Sequence, residues 1–204
     1  EMREQRRAGK EGDGMQASGR RDFRRAQQRE FVLRQRVAAT TARPFAERLV
    51  RFWSNHFAIS VDKFQASLFA GPMEREAIRP HLAGRFADML LAVERHPGML
   101  VYLDNAQSIG VDSRLGAQSA RRAQRNPEVR KRGLNENLAR EILELHTLGV
   151  DGGYSQADVT ELARALTGWS MPRPRQWQGS APSQVFAFQA ATHEPGARTV
   201  LGKR

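Results

Sequence analysis

Cysteine is absent from all 204 residues. That excludes disulfides, thiolate zinc sites and a cysteine nucleophile. Long apolar runs are missing as well. Met89–Val93 ends after five residues, and no window approaches the ~18 apolar residues of a membrane-spanning helix. No apolar h-region stands near the N-terminus, which is polar and rich in arginine. Several catalytic signatures are also lacking: the Gly-x-Ser-x-Gly elbow, the phosphate-binding Walker loop, the dinucleotide fingerprint and His-Glu-x-x-His. What remains is 40% hydrophobic and 27% charged, the composition of a globular domain with a real core.

Positive charge is present in excess, with a formal net charge of +11. Residues 1–36 contribute +5 and residues 114–132 contribute +6, so the rest of the chain is neutral. Residues 114–132 carry no aromatic among their basic residues, and residues 1–36 carry only Phe23 and Phe31, short of the array of a nucleic-acid stacking platform. The composition therefore favours solvated loops and helix faces over a nucleic-acid interface.

The patterning predicts a mainly α protein, a multi-helix orthogonal bundle with a short C-terminal β-hairpin. Residues 1–19 are polar and glycine-rich and are expected to be disordered or a severed loop. A helical domain is expected over 20–169, with a polar basic connection at 106–132. The remainder, 170–204, reads as loop plus hairpin, incomplete at its C-terminus, with VFAFQ and ARTVL as strands flanking HEPG. Within the helical domain, Thr41 and Pro44 open a helix spanning 43–59. Pro97 ends a helix whose stripe is Phe86, Leu90 and Val93, and a short helix over 98–103 follows.

The densest polar chemistry lies in GLNENLAREILELHTLGVDGGYSQADVTELARALTGW, residues 133–169. A regular helical period puts Leu138, Ile142 and Leu145 on the inward stripe. It puts Asn137, Glu141 and Glu144 on one flank and His146 on the other. Glu136 and Arg140 face outward and can pair. In the segment RLVRFWSNHF, His56 falls in the stripe of Phe45, Leu49 and Phe52, so its imidazole points towards a core and needs a partner. His96 and His193 stand at turns and are expected to be exposed. Ser155 with Asp158 forms a near capping box for the helix after the glycine-rich reversal at 149–153.

These residues support three functional classes. In the first the polar cluster is a buried network that fixes helix packing, and the protein binds a partner. In the second, a metal-assisted or Glu/His acid–base hydrolase, the catalytic candidates are His56, Glu141, Glu144 and His146. Arg140 and Asn137 would orient substrate, and His56 and Glu141 are the candidate metal ligands. Glu144 and His146 diverge by about 200° on a regular helix and cannot share a metal there. DGGYSQADVTEL also fails as a calcium loop, because Gln156 and Leu162 occupy the glycine and bidentate glutamate positions. Nucleic-acid binding through the basic segments ranks third.

RLVRFWSNHFAIS, HPGMLVYLDNAQSIG, the long 133–169 motif and HEPGARTVLG occur in that order. With them the chain resembles the bacterial family catalogued as domain of unknown function 1800, over most of its length from Arg34 onward. The resemblance implies a mostly helical, exported protein. It also implies that the chain is a fragment of something longer, and that genes of the family neighbour those of an exported, sulfatase-like protein. It supplies no cofactor and no catalytic residue.

Overall fold

The structure, a computed structural model, describes residues 2–126, 133–172 and 186–204, with the side chains of 2–18 and 20 excepted. The chain divides after Leu49 into two compact units. In the first, α1 is one long helix, Met2–Thr40. Residues 2–19, expected as disorder or a severed loop, form its first half. Thr41 Oγ1 accepts the Arg43 backbone N–H at 3.1 Å, and α2 follows as Pro44–His56, with proline at the first helical position.

The second unit holds the core. Its elements are α3 (Phe64–Ser67), α4 (Ala70–Met73) with a π-turn over Glu74–Ile78, α5 (Phe86–Glu94), α6 (Pro97–Tyr102) and α7 (Arg114–Arg125). Next come α8 (Asn137–Glu141), running into a second π-turn over Ile142–Thr147, and α9 (Gln156–Leu166). Phe57, Ile78, Val93, Met99, Leu100, Leu138 and Val159 are sealed from solvent in one cluster. Each such side chain contributes about 1.5–3 kcal/mol of transfer free energy. The mainly helical expectation therefore holds, and a short two-stranded antiparallel sheet does lie near the C-terminus.

Three local expectations change. The 106–132 connection contains a twelve-residue helix, α7, capped by Ser113. Ser113 carries the start signal, but the absence of a large apolar stripe hides the helix. The sheet pairs β1 (Trp169–Ser170) with β2 (Ala187–Phe188), in the register Trp169↔Phe188 and Ser170↔Ala187. VFAFQ thus pairs backwards with the end of α9's connection, not forwards with ARTVL. HEPG and the residues after it are turns. There Val200 and Lys203 bridge around Leu201 and Gly202, both at positive φ.

Candidate functional site

The polar centre of the second unit is assembled from α2, α5 and the α8 π-turn. A π-turn closes bonds from residue i to i+5 and inserts an extra residue into the helical phase. Here the Leu148 N–H reaches the Leu143 carbonyl at 3.0 Å, and the Thr147 hydroxyl bonds the Ile142 carbonyl. The phase shift changes which side chains face inward. Leu138 and Leu143 are buried, His146 is 5% exposed, and Leu145, expected on the inward stripe, is 58% exposed. The expectation failed because a constant period was carried through residue 142.

His146 enters the core and meets Glu94, the last residue of α5. Its Nδ1 lies 2.7 Å from Glu94 Oε1, with the two side chains 5% and 3% exposed. The approach is short, yet no well-aligned hydrogen bond forms: both Glu94 oxygens and His146 Nδ1 lack one among the described residues. The pair is a short polar contact inside the core. Burial pushes the Glu94 carboxyl above the ordinary glutamate range. His146 pulls it back, Glu141 raises it further, and His56 lowers it.

His56 joins from α2. Its Nε2 bonds the His146 backbone carbonyl at 3.1 Å, and its ring stands edge-on to Phe57 and Trp53, at 4.6 and 5.5 Å between centroids. Phe57 also packs edge-on against the His146 ring, at 5.1 Å. The bundle thus brings His56, Glu141 and His146 around Glu94, a residue the sequence reading missed. A signal for it exists: Glu94 lies four residues after Leu90, so it continues the apolar stripe of α5.

The other candidates lie elsewhere. Asn137 is exposed, and its backbone N–H bonds the Asn135 side chain at 2.8 Å. Arg140 is exposed and lies 3.6 Å from Glu136 and 3.9 Å from Glu144, while its Nη2 donates to Gln156 Oε1 at 2.8 Å. These residues form a solvated surface network joining α8 to α9. As for metal binding, among the described residues no group of three or more His, Asp or Glu is placed to hold an ion.

The two turn histidines are less exposed than expected. His96 is 4% exposed and caps α6: its Nδ1 accepts the Gly98 N–H at 3.1 Å, and its Nε2 lies 3.2 Å from Glu76. Burial lowers its pKa, against an upward pull from Glu76. His193 is half-buried, with Nδ1 donating to the Thr167 carbonyl at 2.7 Å. Beside it the buried Glu194 donates its backbone N–H to the Thr167 hydroxyl at 2.8 Å and accepts the Asp112 N–H on Oε2 at 2.9 Å. The HEPG turn is thereby clasped to both the end of α9 and the loop before α7.

A family model described as protein of unknown function, DUF1800, matches residues 2–204. The chain belongs to the DUF1800 family. No curated protein and no solved structure matches it. The motifs that carried the resemblance thus have defined places in this DUF1800 chain. RLVRFWSNHF supplies His56, the long motif supplies His146, and HEPG supplies the clasp. Among the described residues no helix is long and apolar enough to cross a membrane.

Proposed function

We propose that this DUF1800 chain is an exported helical accessory protein that works by binding a partner protein. The observation that carries the reading is the sealing of the Glu94–His146 pair. A group that turns over substrate must reach it, and these two side chains do not reach solvent. His56 is likewise committed to a backbone carbonyl. The polar cluster then serves to fix α2, α5 and α8 in register. Export, and a sulfatase-like protein as the partner, come from the family resemblance.

The test is to co-express the full-length protein with a sulfatase-like protein of the kind the family resemblance implies and to analyse the mixture by light scattering after size exclusion. A stoichiometric complex supports the reading. Separate elution of the two would sink that partner assignment. Fractionation of cells producing the full-length protein tests export, which requires it outside the cytoplasm.

One observation favours a second reading, an acid–base hydrolase: the raised carboxyl of Glu94 is poised as a general acid would be. Activity on an ester, phosphate or glycoside panel that disappears in Glu94→Gln, with folding intact, would put that reading first.

A further inference from the structure

Helix α7, RLGAQSARRAQR, contains no acidic residue. At 100° per residue, Arg114, Arg121 and Arg125 fall within about 40° of one another, and Arg122 flanks them. All four are exposed, and none has an ion pair or side-chain hydrogen bond among the described residues. The opposite face carries Gly116, Ala120 and Ala123, buried or half-buried. The row runs for roughly 16 Å along the helix, from the rise per residue.

The row is held rigidly at its root. Ser113 Oγ accepts the Gly116 N–H at 3.0 Å and donates to the Gly110 carbonyl at 2.6 Å. The Leu115 N–H donates to the Ala191 carbonyl at 2.9 Å. A side chain at Gly116 would overlap the Gly110 and Val111 carbonyls, so helix and loop touch backbone to backbone. Four guanidiniums without partners among the described residues, on a helix anchored this way, form a comb of paired N–H donors.

We propose that α7 is the docking surface for a partner protein, and that it receives an acidic face, such as a helix with Asp or Glu at matching turns. This rests on the accessory-protein reading above and specifies the chemistry of the partner. Three features select a protein over other polyanions. The exposed positions beside the row are Ala117, Gln118 and Gln124, and the one large apolar side chain of the helix, Leu115, is half-buried, so little is free to insert into a lipid surface. No aromatic stands in it for a base to stack on. Outside 114–132, residues 50–204 hold 13 Lys/Arg against 14 Asp/Glu, so the rest of that unit adds no net positive charge to attract a nucleic-acid duplex.

The experiment uses the full-length protein and a fluorescein-labelled helical peptide of alternating Glu and Ala turns, read by anisotropy. A 20-bp DNA duplex and phosphatidylglycerol vesicles are run in parallel (probe sizes of order one helix length). The variants are R121E/R122E/R125E in α7 and, as a control of equal charge change, R21E/R24E/R25E in α1. Because the substituted arginines of α7 and of α1 are all exposed, both variants are expected to fold. R121Q/R122Q/R125Q gives the same reading without added repulsion. The expected result is peptide binding that weakens about tenfold or more in both α7 variants, is retained in the α1 variant and falls with salt. Equal loss in the α1 variant, no loss in α7, or tighter binding to duplex or vesicles overturns the assignment. A complex with the sulfatase-like protein that survives R121E/R122E/R125E would overturn the docking surface and leave the accessory function standing. Peptide binding lost in α7, with no such complex, would do the reverse.

Discussion

His146 Nδ1 and Glu94 Oε1 lie 2.7 Å apart inside the core, joining the α8 π-turn to the last residue of α5. Such a pair costs much of its Coulombic gain in desolvation, and removing one partner leaves the other charge buried alone. The pH dependence has a definite sign. The folded carboxyl of Glu94 is raised, so folding favours its protonated form. The contribution of this site is full below the ordinary glutamate value and is lost as pH rises through the raised one. Glu94→Gln holds the neutral form. Denaturant midpoints should therefore show the variant gaining on the wild type as pH rises from the acidic range to neutrality. A constant difference across that range would contradict the raised carboxyl.

His96 carries the opposite sign. Burial lowers its pKa, with Glu76 pulling the other way. Its neutral Nδ1 is the acceptor that caps α6. Stability from this residue is present above the ordinary histidine value and lost as pH falls through the lowered one. NMR titration should find one histidine titrating below the usual range, and lower still in Glu76→Gln. An unchanged titration in that variant would separate His96 from Glu76.

The π-turn makes a prediction about two neighbouring leucines. Leu143 is buried and Leu145 faces solvent. Leu143→Ala should cost about 2–5 kcal/mol, while Leu145→Ala stays within about 0.5 kcal/mol of the parent. Chemical denaturation of the two variants decides it. The reverse order would restore a regular helix through residue 147.

Ser155 caps α9 in a reciprocal box with Asp158, and the second Asp158 oxygen accepts the Leu201 N–H at 2.7 Å. Ser155→Ala should cost about 1 kcal/mol. Asp158→Ala should cost more, because it also frees the turn at Leu201–Gly202. Equal losses from the two would mean that the Leu201 contact contributes nothing.

Much of this architecture was legible in the chain. Proline at 44 and serine at 155 mark helices that form where expected. The candidate histidine of α2 does reach the core, but not on the expected stripe: Phe45 and Phe52 are 68% and 59% exposed, and His56 turns inward beside Trp53 and Phe57. What escaped was non-local or aperiodic. No period announces a π-turn, so His146 and Leu145 exchanged faces. Glu94 becomes a site residue only when α5 meets α8, two segments far apart in sequence. The pairing of Trp169 with Phe188 spans a long connection that local strand propensity does not register. The helix α7 was hidden by its small apolar face, whose packing comes from glycine against backbone.

The central claim is that Glu94 and His146 act as one structural clamp. A double-mutant cycle tests it most directly: Glu94→Met, His146→Leu and the two together, each unfolded in denaturant at neutral pH. The account predicts that His146→Leu alone costs about 3–5 kcal/mol, and that the double variant recovers most of this as an apolar pair. Additive losses, or single variants as stable as the parent, would contradict it and return the pair to the list of candidate reactive groups.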